Sequence, residues 1–405
     1  MPSSLVSTVR RLIPTVTIVL AVLAVGVWLG GHPQWLPDPV RHAFVDKKAD
    51  DVTEAIQKIQ DVYYRPIGDR QLTDSAIKGM IAGLDDRFSN YFTPKEYASF
   101  QQDQNSSFSG IGMLVAQDPK GLLVTKVYPS SPASQAGIRA GDVIVRAKGR
   151  SLKGVTSRQS TALIKGPAGT SVRITYLHKG KPHTVTATRA EISVPMVAST
   201  LKTVRGKKIG VVALSQFGSG AHAEVYAALR KLLKRGADRF VFDLRGNGGG
   251  LVTEAQLIAS AFIRSGPIVT TKGRNVPAQT LDATGEPVVP TDPLVVLVDK
   301  GTASASEIVT GALQDTKRAT VVGTRTFGKG VFQQVLELSD GGALDITAGQ
   351  YFTPKGRNLG GKGVTNGRTV NTGAGIAPDV PAKDDPETRT RDEGLEKALA
   401  VVAAK

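Results

Sequence analysis

Leu294-Val295-Val296-Leu297-Val298 leads through Asp299-Lys300 into Gly301-Thr302-Ala303-Ser304-Ala305-Ser306-Glu307. The apolar run predicts a buried strand, the small residues a tight turn, and the segment through Leu313 a helix. A similar junction lies upstream, where Arg239 to Leu244 meets Arg245-Gly246-Asn247-Gly248-Gly249-Gly250 and a helix follows from about Val252 to Arg264. Such a junction exposes a side chain at a sheet edge and aims helix N-terminal N–H groups into the same space. Around the two junctions, Lys208 to Ala213, Thr320 to Val322, Val331 to Leu338 and Ala343 to Phe352 predict strands, and Ala221 to Arg235 an amphipathic helix. From about Val194 onward the chain therefore reads as α/β, a mixed sheet with helical layers.

Ser304 stands where a nucleophile would, and a serine nucleophile needs a base. Histidine is the usual base, yet none lies within 80 residues of Ser304. His222 could approach only through the fold. Lys329 is the other option, held between glycines in Thr326-Phe327-Gly328-Lys329-Gly330. Neutralising an ordinary lysine at pH 7 costs about 4.6 kcal/mol, which burial in an apolar pocket can offset. Phe327, Val331 and Phe332 are candidates for that pocket. From the residues alone two readings stay open: a base, or a solvated loop lysine. Ser304 and Ser306 could equally be helix caps.

The 405 residues allow two or three domains. Cysteine is absent, which excludes disulfides, thiolate metal sites and a cysteine nucleophile. The five histidines show no metal-ligand spacing. The glycine turn at Gly246 to Gly250 could cradle phosphate, but it lacks the G-x-x-x-x-G-K-(S/T) pattern and a ribose-binding acid. Net charge is +16, concentrated between Arg139 and Arg189, where eleven Lys and Arg face one acid, Asp142. That stretch is either a solvated face or one that attracts anionic tails or membrane. With 5% aromatics and no stacking motif, nucleic acid is not an expected partner.

Arg10 and Arg11 precede an apolar run of about 20 residues, Leu12 to Gly31, long enough for a bilayer core. The positive flank orients residues 1–11 to the cytoplasm. A cleaved signal peptide competes, but Val27-Trp28-Leu29-Gly30-Gly31-His32 is a poor cleavage site. The expectation is an uncleaved signal anchor at 12–31, a single transmembrane helix. Residues 32–105 then form a linker and a small helical region. Its helices are expected over Asp50 to Tyr64, from a Thr73 cap through Leu84, and from Pro94 to about Gln104.

From Ser106 to about Glu191 short strands and turns alternate. Gly110-Ile111-Gly112-Met113 enters a strand, and Pro132-Ala133-Ser134-Gln135-Ala136-Gly137-Ile138-Arg139-Ala140-Gly141-Asp142 follows. This order resembles a PDZ domain, here inserted at 106–190. The resemblance implies binding of a peptide's C-terminal end at Gly110, Ile111, Gly112 and Met113. There a glycine-rich turn can present backbone N–H groups to a carboxylate while the peptide adds as a strand.

Asp243 to Gly250, Gly301 to Ile308 and Thr326 to Gln333 resemble the three signature blocks of the carboxyl-terminal processing peptidases, or tail-specific proteases. Lys329 follows Ser304 by 25 residues, and Gln333 follows Lys329 by four, as in that family. Tyr351 to Arg357 and Gly375 to Asp379 match as well. Lys362 to Gly375 departs from the pattern by about ten added residues. The resemblance implies a crotonase-like serine protease core over 191–383 and a C-terminal helix within 384–405. It makes Ser304 the nucleophile, Lys329 the general base and Gln333 a residue that orients lysine or substrate. Gly250 and Ala305 would supply the oxyanion hole, with no metal or cofactor. The implied activity is endopeptidase cleavage of exported proteins near their C-terminal ends, with the catalytic part on the periplasmic side of a bacterial inner membrane. Substrate tails are the expected partners, with an adaptor protein unidentified; residues 50–104 and 384–405 are candidates for homo-oligomerisation. All of this requires an uncharged Lys329 amine within hydrogen-bonding reach of the Ser304 hydroxyl. The competing reading is a non-catalytic, membrane-tethered PDZ adaptor.

Overall fold

A computed structural model describes residues 47–104, 107–360, 375–384 and 391–405. The anchor expected at 12–31, most of the linker and nearly all of the added loop at 362–375 lie outside the described residues. No helix among the described residues is long and apolar enough to cross a membrane.

The chain divides into two compact units, Met1–Gly83 and Leu84–Lys405. In the first, helices α1 (Lys47–Val62) and α2 (Asp69–Ala82) pack on each other. Helix α2 starts four residues before Thr73, which therefore caps nothing; its hydroxyl bonds back to the Asp69 carbonyl at 3.0 Å.

The second unit opens with β1 (Asn90–Phe92) and α3 (Pro94–Gln104), so the third predicted helix belongs to this unit and not to the first. Then come β2 (Ser107–Gly110), β3 (Met113–Asp118), β4 (Gly121–Val127), α4 (Pro132–Gln135), β5 (Val143–Ala147), β6 (Arg150–Ser151), α5 (Ser157–Ile164), β7 (Ser171–His178), β8 (Lys181–Thr188) and β9 (Ala190–Ser193). Strands β3-β4-β5-β7-β8 form an antiparallel sheet with β3 at its edge. Leu122, Ile138, Ile144, Leu152 and Ile174 fill the core of this domain. Gly112 must be glycine: at φ +79°, a Cβ there would lie 2.3 Å from the Ser131 Cβ.

The remaining elements are β10 (Val197–Val204), β11 (Lys207–Leu214), α6 (Ala221–Lys234), β12 (Arg239–Asp243), α7 (Val252–Ser260), β13 (Pro267–Gly273), β14 (Gln279–Asp282), β15 (Leu294–Val298), α8 (Ala305–Asp315), β16 (Thr320–Gly323), β17 (Val331–Glu337), β18 (Ala343–Phe352), β19 (Val380–Pro381) and α9 (Glu393–Ala403). Strands β10-β11-β12-β15-β16-β19 form one sheet, parallel except at β10. Its central strand β15 is apolar throughout because both faces are covered. Phe240, Phe242, Val296 and Val298 join the core with α6, α7 and α8; Val241, Val295 and Leu297 pack with Ala398, Leu399 and Val402 of α9. A second sheet, β1-β18-β13-β14 with β17 beside β18, carries the lysine segment.

Arg245 ties α9 to the first junction. Its guanidinium makes a two-pronged bond to Asp392, at 2.7 and 2.9 Å, and reaches Asp243 at 2.8 Å. Arg245 holds the Asp392 carboxyl below its ordinary pKa, outweighing burial. The pair therefore stabilises the fold above the ordinary aspartate pKa of about 3.9, and that contribution fades as pH falls through the lower folded value. Amide exchange in 393–403 should accelerate on acidification before the rest of the unit opens. Arg245→Met should produce the same local acceleration at neutral pH.

Candidate active site

The two strand–turn–helix junctions are sewn together at their backbones. Asn247, fully buried, donates from Nδ2 to the Leu214 carbonyl at 2.8 Å and accepts the Gly249 N–H at 2.9 Å. Its carbonyl accepts from the Ala303 N–H at 3.0 Å and the Ser306 hydroxyl at 2.9 Å. Asp299 accepts the N–H groups of Gly246 and Gly301, each at 2.9 Å. Gly249 lies so close to the second junction that an added Cβ would stand 2.8 Å from the Ser304 Cβ and 2.9 Å from the Ala305 nitrogen.

Ser304 is the N-cap of α8, with φ 56° and ψ −118°, a conformation that costs a non-glycine residue about 1–3 kcal/mol. It is 7% exposed. The Gly249 N–H is taken by Asn247, whereas the N–H groups of Gly250 and Ala305 bond no protein group among the described residues. Two free backbone donors thus flank the serine junction, as an oxyanion hole requires.

Lys329 approaches from the second sheet. Its ammonium nitrogen bonds Gln333 Oε1 at 2.7 Å and lies 5.1 Å from the Phe88 ring centre. The Gln333 amide in turn reaches Thr347 Oγ1 at 3.3 Å. Burial lowers the Lys329 pKa against the pull of Asp345, Asp86 and Glu307, and Arg87 adds to the lowering. The apolar shelter differs from the one expected. Val331 is buried, but Phe327 is 47% exposed and sits under Arg87, and Phe88 supplies the ring beside the amine.

Ser304 and Lys329 are not hydrogen-bonded to each other. The Ser304 side chain lies beside the buried phenol of Tyr351, whose pKa burial pushes up. His222 bonds Glu254 at 2.9 Å and is engaged there. Among the described residues no group of three or more His, Asp or Glu could hold a metal ion.

Glu307 had no role in the sequence reading, although its place three residues after Ser304 is the local signature of a capping box. Its side chain is fully buried. One oxygen accepts the Thr326 hydroxyl at 2.6 Å and the Gly328 N–H at 2.7 Å; the other accepts the N–H groups of Ser304 and Lys329, each at 2.9 Å. Burial raises its pKa, opposed by these four bonds. One carboxylate thus fixes the backbones of both candidate catalytic residues.

In the inserted domain, Ile111 is buried and β3 begins at Met113. The Ile111 carbonyl accepts from Ala133 at 2.7 Å and the Gly112 carbonyl from Tyr128 at 3.0 Å. The N–H groups of Ile111 and Gly112 bond nothing among the described residues. The expected tail-binding turn therefore has its acceptors occupied and its donors free.

The profile of peptidase family S41 matches residues 208–380 and that of a PDZ domain residues 107–188. A third, the N-terminal domain of the activating protease CtpB, matches residues 38–95. The carboxyl-terminal-processing protease of Synechocystis is 38% identical, covering 73% of this chain and 70% of its own length. The chain belongs to peptidase family S41. The carboxy-terminal processing protease CtpA of Bacillus subtilis is 35% identical to this S41 peptidase, over 79% of the chain and 68% of the relative. A Bacteroides fragilis structure provisionally described as an S41 protease shares the fold, with a TM-score of 0.52 at 18% identity over 86% of this chain and 96% of that one. The protein is thus a serine peptidase with a PDZ domain.

Because Glu307 aligns two backbones at once, Glu307→Gln should lower kcat for peptide hydrolysis by about 10²-fold, the scale of a 1 Å misplacement, with little change in KM. Steady-state kinetics on an unstructured peptide would measure both.

Proposed function

We propose that this S41 peptidase cleaves exported proteins near their C-terminal ends with Ser304 as nucleophile and Lys329 as general base. The Glu307 carboxylate carries the reading, because it binds the Ser304 and Lys329 backbones to one rigid point. The lowered pKa of Lys329 supports a neutral amine as the working form.

In the reaction the Lys329 side chain turns from Gln333 toward Ser304. Ser304 Oγ attacks the peptide carbonyl carbon while its proton passes to Lys329 Nζ. The N–H groups of Gly250 and Ala305 receive the oxyanion. As the C–N bond breaks, Lys329 returns the proton to the leaving amine. Water, deprotonated by the same amine, then attacks the acyl group and releases the new carboxyl end. Gln333 holds the amine between these transfers. The Ile111 and Gly112 N–H groups take the substrate's terminal carboxylate, and the tail adds as a strand along the free edge of β3. A signal anchor at 12–31 would hold this machinery on the periplasmic face of an inner membrane.

Because Ser304 and Lys329 are not hydrogen-bonded to each other, one rival is kept, a tethered PDZ adaptor on an inactive peptidase core. A peptide ending in small apolar residues separates them. The protein should cleave it, and Ser304→Ala or Lys329→Ala should abolish cleavage while leaving tail affinity unchanged. The rate should rise with pH as Lys329 loses its proton, with its midpoint below the ordinary lysine value of about 10.4. Binding without cleavage in the intact protein would establish the adaptor instead.

A further inference from the structure

Arg189 joins β8 to β9 and is 4% exposed, yet no carboxylate pairs with it among the described residues. Its Nε donates to the Ile164 carbonyl at 2.7 Å, and its Nη1 donates to Thr170 Oγ1 at 2.8 Å and the Ser171 carbonyl at 3.0 Å. The buried Nη2 has no partner. A buried guanidinium is ordinarily matched by an anion, because neutral acceptors repay only part of its lost hydration. This one is also held in place: an added Cβ on Gly166 would stand 3.0 Å from its Nε.

Its position relates it to the tail-binding turn. Strands β2 and β9 pair Ser109 with Glu191 and Gly110 with Ala190. Arg189 immediately precedes Ala190, the partner of Gly110, and Ile111 immediately follows Gly110. The Ser109 hydroxyl donates to the Gly166 carbonyl at 2.8 Å, so the strand entering the turn and the loop against the guanidinium are bonded together. Ile164 is the last residue of α5, the helix that flanks β3. A carboxylate taken by the free Ile111 and Gly112 N–H groups would therefore approach the C-terminal end of α5. Unsatisfied carbonyls there repel an anion. Arg189 covers the last of them with a positive charge and keeps one donor in reserve.

We infer that Arg189 is a specificity-determining residue that helps the PDZ domain select a free terminal carboxylate, through the charge it places behind the Ile111–Gly112 turn. The inference rests on the proposed tail recognition and assigns part of the charge discrimination within it to one residue. The N–H groups of the turn already bind a carboxylate more strongly than a neutral amide oxygen, and the guanidinium adds to that preference.

The test uses the full chain carrying Ser304→Ala, so that bound peptides stay intact. Calorimetry gives Kd for one peptide ending in small apolar residues, as the free acid and as the C-terminal amide. With Arg189 present the acid should bind about tenfold or more tighter than the amide, the scale of a hydrogen bond to a charged group. Arg189→Met should lower that ratio several-fold by weakening the acid alone. Arg189→Lys, which keeps the charge and the burial but loses the planar fork, should give an intermediate ratio even if the methionine variant folds poorly. An acid preference unchanged in both variants overturns the assignment, and so does equal weakening of acid and amide, which marks a residue that only supports the loop. If the protein with Arg189 binds neither peptide, tail recognition itself fails, an outcome distinct from the other two.

Discussion

A single buried carboxylate organises the reactive centre. Among the described residues no cation is bonded to Glu307; one oxygen accepts the N–H groups of Ser304 and Lys329, and the other accepts the Thr326 hydroxyl and the Gly328 N–H. Burying such a group is costly unless its acceptor sites are filled, and here they are filled by the backbone of the very segments that must meet. The helix carrying Ser304 and the loop carrying Lys329 come from different sheets, so nothing local would align them. The carboxylate does so, and the strained φ of Ser304 is tolerated because its N–H is committed to this bond.

Around that point the fold supplies rigidity in layers. Asn247 and Asp299 join the two junctions, and Gly249 is small enough to lie against Ser304. Arg245 extends the first junction outward to α9, whose apolar face closes the back of the sheet. The free N–H groups beside Ser304 are then left over by construction. Among the described residues the Gly249 N–H is taken by Asn247, whereas those of Gly250 and Ala305 bond no protein group. The same economy appears in the PDZ domain, where occupied carbonyls leave the Ile111 and Gly112 N–H groups available.

The two candidate catalytic side chains are not hydrogen-bonded to each other: the Lys329 amine bonds Gln333, and Ser304 lies beside the Tyr351 phenol. Glu307 ties the backbones of both residues to one carboxylate. Burial has already made the amine easier to deprotonate, which brings a lysine base nearer to working pH.

Much of this was legible from local pattern. The apolar run at 294–298 and the small-residue turn after it placed a strand and a helix correctly, because continuous burial on both faces leaves a run of Val and Leu with no alternation. Glycine-rich blocks marked the PDZ turn for the same reason that Gly112 cannot carry a Cβ. Strands β1, β10, β13 and β14 were not legible. They lie at edges or pair across long stretches of sequence, as Asn90 does with Asp345, and half-exposed residues give them no strong periodicity. Thr73 looked like a cap because cap chemistry is local, whereas the helix start was set four residues earlier. By itself the sequence determined which residue types were present at each junction and hence the family of chemistry. Only the tertiary structure decided that Glu307 would join them, that Phe88 and not Phe327 would shelter the amine, and that Arg189 would be buried without a counter-ion, since each depends on contacts between segments that sequence spacing does not encode.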